Sequence, residues 1–266
     1  MKYETIILEV IDQIATITLN RPEKMNAENN KMADELLDVF RAVDRMEEAR
    51  VVVITGAGRA FCAGADLQER FLPRIDEKKK GIIRDVTQEF SELGCLALSQ
   101  IRKPTIASVN GAAVGVGCTL TLGCDIRIAS TEARFGFPFV RVGISPEFGS
   151  TYYLPRLIGI GKACELIFTG QTLDAQEAKE IGLVNQVVAP DKLKEVTYGM
   201  AGKILKMPPL AIQLSKRALY QGMRAPDLAS QLQNETFAFV HLLGTRDHEE
   251  GVRAFLEKRE PVFKGQ

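Results

Sequence analysis

The chain has no tryptophan, only two histidines and no net charge over its 266 residues. Each shortage excludes a class of function. Lysine plus arginine equals aspartate plus glutamate at 34 each, so no overall field draws the protein to nucleic acid or to an anionic membrane. His241 and His248 both fall in the C-terminal stretch. No HExxH occurs, no GxSxG occurs, and a Ser-His-acid triad would depend on one of those two remote histidines. Without GxxxxGK[ST] there is no P-loop. The cysteines, Cys62, Cys95, Cys118, Cys124 and Cys164, are odd in number and lack CxxC spacing. They read as buried free thiols of a reducing compartment. The N-terminus has no apolar signal core, and no apolar run is long enough to span a bilayer. A cytoplasmic protein follows, with no membrane or nucleic-acid partner, no metal and no cofactor.

What is present reads as an α/β core followed by helices. Residues 5–10 and 14–19 alternate as paired strands with a turn near Asp12. Met32, Leu36, Leu37, Phe40 and Val43 share one helical face. Residues 51–55 form an apolar strand, 81–101 a long helix, 105–109 a β-branched strand, and 125–129 a further strand. Beyond Pro146 helices are expected at about 146–157, 161–168, 174–180, 191–206, 209–222, 227–243 and 247–258, with one short strand near 184–188. Such a helical end either packs on the core or makes subunit contacts.

Two glycine-rich loops each follow a strand, "GRAFCAGADL" and "NGAAVGVGCTL". "TGAGRAF", which leads into the first, carries GxG, but Phe61 stands where the third glycine of a dinucleotide fingerprint belongs. In the second, Gly111, Gly115 and Gly117 lack a Cβ, which lets a ligand approach the backbone. A helix from about Gly115 would present unpaired N–H groups to that ligand. The alternative is a tightly packed buried helix. Two such loops can each supply one amide, the minimum for an oxyanion hole. Among the nearby acids, Asp125 reads as a structural acid bonded to backbone amides, and Asp66 as a cap. In "GISPEFGSTYYL", Ser145 suits an N-cap, Pro146 the first helical position and Glu147 the first turn. Glu147 is then either an ordinary helix-end acid or a carboxylate partly desolvated by Phe148, Tyr152, Tyr153 and Leu154. Desolvation would raise its pKa and the helix end would lower it.

Nearly the whole chain resembles the enoyl-CoA hydratase/isomerase, or crotonase, superfamily. The matching segments include "ITLNRPEKMNA" (16–27), "VVVITGAGRAFCAGADL" (51–67), "KPTIASVNGAAVGVGCTLTLGCDIRIAS" (103–130) and "FGFP" (135–138). They continue with "GISPEFGSTYYLPRLIG" (143–159) and "EGVRAFLEKREPVFKG" (250–265). The resemblance implies an α/β fold, a crotonase-like spiral of ββα units over 1–195, and a helical C-terminal trimerisation module over 196–266. It implies a homotrimer or a dimer of trimers, and an acyl-CoA substrate. Ala65 and Val116 would supply the two oxyanion amides, although a glycine is usual at 116. Lys24, Met25, Ala27, Ala63, Gly64, Asp66, Leu67 and Gly115 match the substrate and coenzyme A channel, and Phe255 and Lys258 the C-terminal region that reaches the coenzyme. Family hydratases use two glutamates; this chain has Thr119 and Phe139 at those places. Glu147 instead matches the single acid of the family's Δ3,Δ2-enoyl-CoA isomerases. The expected activity is therefore an acyl-CoA double-bond isomerase with Glu147 as acid/base. The alternatives are a hydratase of a linear or cyclic enoyl-CoA with Glu147 activating water, and a non-catalytic CoA- or RNA-binding relative.

Overall fold

A computed structural model describes residues 2–82 and 89–266. The first elements are an antiparallel hairpin, β1 (Ile6–Ile11) on β2 (Ile14–Leu19), with Ile11 opposite Ile14. Asp12 and Gln13 both have positive φ, 50° and 63°. That is the turn geometry whose twist suits a two-residue hairpin. Helix α1 (Asn30–Arg45) starts where the Asn29 side chain accepts the Met32 N–H at 2.9 Å, a cap worth about 1 kcal/mol. Met32, Leu36, Phe40 and Val43 are buried on its inner face as their spacing predicts, and Leu37 is half-buried against the core.

The chain then shuttles between two sheets. Strand β3 (Val51–Gly56) joins the larger sheet and β4 (Ala60–Cys62) the smaller one. Two helices follow, α2 (Leu72–Lys79) and α3 (Phe90–Ser99). Of the long helix expected over 81–101, the described residues show only Phe90–Ser99 as helix, with Gly81, Ile82 and Glu89 outside it; residues 83–88 lie outside the described residues. The next pass is β5 (Thr105–Val109), β6 (Ala112–Val114) and α4 (Val116–Leu122), then β7 (Ile126–Ser130) and β8 (Arg134–Gly136). After α5 (Ser150–Ile158) and α6 (Ile160–Thr169), β9 (Thr172–Asp174), α7 (Ala175–Glu180) and β10 (Gln186–Val188) complete the sheets. The larger sheet runs β1-β2-β3-β5-β7-β10, parallel from β2 onward; the smaller runs β4-β6-β8-β9. Each pass leaves one strand in each sheet, which makes the core a spiral of ββα turns.

Several sequence expectations need correction. The strands of the smaller sheet are three residues each, too short to show a period of two. The helix expected from 146 begins at Ser150, and the strand expected over 184–188 is confined to Gln186–Val188. Asp125 behaves as expected: one carboxylate oxygen accepts from the Thr105 N–H and hydroxyl at 2.7 and 2.9 Å.

By its contacts the chain divides into two units, Met1–Ile101 with Thr105–Tyr198, and Arg102–Pro104 with Gly199–Gln266. The division falls inside α8 (Leu193–Leu205). The second unit contains α9 (Pro209–Gly222), α10 (Leu228–Leu243) and α11 (Arg246–Glu257), with α10 packed on both of the others. Lys216 Nζ donates to the Lys103 carbonyl at 2.9 Å and ties the short segment to α9. Asp247 is buried and accepts the Lys264 and Gly265 N–H groups, which holds down the last residues. Among the described residues, no helix is long and apolar enough to cross a membrane.

Candidate active site

The two glycine-rich loops meet. Gly115 has φ +54°, and a Cβ placed there would stand 3.7 Å from the Gly64 Cα. Gly64 itself has φ +106°, a backbone conformation that side chains rarely adopt. The other two glycines of the second loop have a different role from the one their sequence suggested. A Cβ at Gly111 would lie 2.0 Å from the Arg59 carbonyl oxygen, and one at Gly117 only 2.2 Å from the Cys62 carbonyl oxygen. Their missing side chains admit the first loop and β4, not a ligand. Asn110 reinforces the same contact, with Nδ2 donating to the Gly58 and Ala60 carbonyls at 2.9 and 3.1 Å.

Helix α4 begins at Val116, as the sequence predicts, with Gly115 as its N-cap. As the first residue of the helix, Val116 has an N–H without an intrahelical acceptor. Ala65 is exposed to the same need by a different route. The Glu28 N–H donates to Gly64 O and the Asp66 N–H to Glu28 O, both at 2.8 Å, so the chain around 65 pairs with residue 28 through its neighbours. In a strand-like pairing the intervening residue turns its own N–H and C=O the other way. No acceptor among the described residues takes the Ala65 or Val116 N–H. Both residues line one cavity of about 400 Å³, together with Ala63, Gly64, Leu67, Gly115 and Glu147.

Glu147 does not sit in a helix. Ser145 and Pro146 precede it outside any helix or strand, and Phe148 (φ 54°) and Gly149 (φ 68°) both turn left-handed before α5 begins at Ser150. The expected Ser145 cap is therefore absent and the positive helix end does not bear on the carboxyl as supposed. Phe148 holds the strained turn because its ring is buried, 5.3 Å from that of Phe90. The turn carries Glu147 to the cavity wall, where burial raises its carboxyl pKa to about 7. The negative Glu28 raises it further, while the Thr119 hydroxyl and the Arg70 charge pull it down. Thr119 stands where a family hydratase keeps an acid; its hydroxyl donates to Glu147 Oε1 at 3.3 Å. Phe139, at the other such position, is buried in the cavity wall. Burial also pushes Cys62 up to about 12 and Cys95 to about 11, so both remain protonated thiols at neutral pH.

The remaining candidates are spread more widely. The Met25 carbonyl accepts the Ala63 N–H at 3.0 Å, so residues 24–28 run alongside the first loop. Lys24 and Met25 are exposed there, Ala27 is half-buried, and none of the three lines the cavity. Asp66 is buried under the loop, where its carboxylate accepts the Gln68 and Glu69 N–H groups and pairs with Arg21. Phe255 and Lys258 belong to the second unit, and Phe255 is 83% exposed.

Sequence reasoning missed a charged group in the cavity. Leu67, Arg70 and Phe71 face it from a single π-helical turn, Leu67–Phe71, and Arg74 from α2, into which that turn runs. Arg70 pairs with the buried Glu28 and, at 3.5 Å, with Glu89; Arg74 pairs with Glu89 at 2.6 Å. The i, i+3, i+4, i+7 spacing of 67, 70, 71 and 74 was readable, but the partners at 28 and 89 are far away in sequence.

Two amides without acceptors and a carboxyl raised to about 7 by burial thus share one cavity of a ββα spiral. The comparisons give the family. The model of the enoyl-CoA hydratase/isomerase family matches residues 9–266, and the chain belongs to that family. It is 41% identical over 261 residues to the short-chain-enoyl-CoA hydratase of Clostridium acetobutylicum, covering 97% of each chain. It is 41% identical to the crotonyl-CoA hydratase of Syntrophomonas wolfei, covering 99% of each. The crystal structure of an enoyl-CoA hydratase from Bacillus anthracis is similar at a TM-score of 0.90 and 37% identity, over 99% of this chain and 100% of that one.

Proposed function

We propose that this enzyme isomerises 3-enoyl-CoA to 2-enoyl-CoA, with Glu147 moving the proton. One observation carries the reading: Glu147 shares a cavity with the free Ala65 and Val116 amides and has a hydroxyl, Thr119, beside it where a hydratase has a second acid. In a 3-enoyl thioester the C2 proton lies between the carbonyl and the double bond. Glu147 takes that proton, and the electron pair moves into the thioester as a dienolate. The two amides hold the charge that develops on oxygen. Glu147 then returns the proton to C4, which leaves the double bond between C2 and C3. One base completes the cycle, and a carboxyl near 7 is matched to both halves of it at neutral pH. Lys24, Met25, Ala27, Ala63, Asp66 and Leu67 are the proposed coenzyme channel; for Phe255 and Lys258 the resemblance implies contact with a coenzyme. A trimer or dimer of trimers through that unit is consistent with Phe237 and Phe239, 77% and 63% exposed on α10.

A second reading is hydration of 2-enoyl-CoA with Glu147 activating water. Its support is the Glu28 carboxylate in the same cavity and the names carried by the two relatives. Both readings are tested by offering 3-enoyl-CoA and 2-enoyl-CoA to wild type and Glu147→Gln. The proposal expects the 3-enoyl substrate to be consumed by wild type and slowed by about 10³-fold in the variant. Turnover of it by Glu147→Gln at the wild-type rate would eliminate Glu147 as the base.

A further inference from the structure

One stretch of an otherwise largely apolar cavity wall is made of ions. Glu28, Arg70, Glu89 and Arg74 form a ladder in which each acid is shared with a guanidinium. All four line the cavity that holds the two free amides and Glu147. The ladder runs from the buried Glu28, 2% exposed, through Arg70 at 12% and Glu89 at 21% to Arg74 at 32%. A cavity of about 400 Å³ is at the small end for small-molecule sites, which suits a short acyl group.

The ladder also leaves a donor over. Arg74 Nε is buried and has no acceptor among the described residues. Ser91, on the same cavity wall, adds a hydroxyl. A plain hydrocarbon packed here would strip water from guanidinium N–H groups and offer them nothing, which is unfavourable. A carboxylate at the acyl end would meet two guanidiniums that Glu28 and Glu89 already pair. A neutral oxygen fits both constraints, since it accepts from arginine without adding charge.

We infer that the acyl group this enzyme selects is short and carries an uncharged oxygen, a hydroxyl or a ketone, near its distal end, bound by the Arg70–Arg74 wall. The inference rests on the acyl-CoA reading above but not on which reaction follows. The test therefore uses saturated acyl-CoAs that can neither isomerise nor be hydrated. Hexanoyl-CoA, 5-oxohexanoyl-CoA, 6-hydroxyhexanoyl-CoA and adipoyl-CoA are titrated into the wild-type enzyme by calorimetry. At least one of the two oxygenated chains should bind about tenfold more tightly than hexanoyl-CoA, the scale of one hydrogen bond to a charged donor. Adipoyl-CoA should bind no better than hexanoyl-CoA. In Arg74→Met the preference for the oxygenated chain should shrink to about threefold or less. Hexanoyl-CoA binding as tightly as both oxygenated chains, adipoyl-CoA binding most tightly, or an undiminished preference in Arg74→Met would overturn the inference. Absence of binding by all four thioesters would overturn the acyl-CoA reading with it.

Discussion

Glu147→Gln removes a proton-titrating group and almost no volume, so its effect on stability follows from the displaced carboxyl. Folding moves that carboxyl from its ordinary 4.5 to about 7, mainly because the cavity desolvates it. Below about pH 4.5 the acid is neutral in both folded and unfolded chains and resembles glutamine. As pH rises toward 7 the unfolded chain ionises while the folded one holds its proton, and the wild type loses about 1.4 kcal/mol for each pH unit. Above pH 7 both states are ionised and the loss levels off at about 3 kcal/mol. The glutamine variant escapes this loss, so it should be more stable than wild type at pH 8 by about 3 kcal/mol, or about 6–10 °C in Tm. The difference should fade by pH 4.5. Urea titrations of both proteins from pH 4 to pH 9 measure it directly. Stabilities that run parallel across that range would show that Glu147 is not held near neutrality, and the proton-transfer role would lose its physical basis.

Other substitutions test the surroundings of this group. Thr119→Val removes a hydroxyl that favours the ionised carboxylate, so the acidic limb of the kcat/KM profile should move above pH 7. Glu28→Gln removes a nearby negative charge and should move that limb below pH 7. It also leaves Arg70 short of its buried partner, which should lower stability by about 3 kcal/mol in denaturant titrations. Gly117→Ala puts a Cβ 2.2 Å from the Cys62 carbonyl oxygen, in backbone that cannot yield, and should cost about 3 kcal/mol.

How much of this was legible in the sequence depends on how local the cause is. The β-branched run of β5, the Asn110-Gly111 turn and the start of α4 at Val116 all follow from neighbouring residues, and all were readable. The helical face of α1 was readable for the same reason. The turn at Glu147 was not. Its shape depends on Phe148 in a left-handed conformation, held by Phe90 from 58 positions earlier in the chain. Nothing adjacent signals that, and the Ser145-Pro146 pair suggested an ordinary helix start. Gly111 and Gly117 were recognised as special, but the close approach they permit is between two loops of the chain itself. Glu28 was overlooked because an acid just before a helix looks unremarkable until Gly64 and Arg70 are placed beside it.

The central claim is that one carboxyl and two amides move a double bond without adding water. Incubating the wild-type enzyme with 3-hexenoyl-CoA and following the mass of the products tests it most directly. The account predicts a first product of unchanged mass with the conjugated absorbance of a 2-enoyl thioester. A first product heavier by one water, or no reaction with this substrate while 2-hexenoyl-CoA gains water, would contradict it.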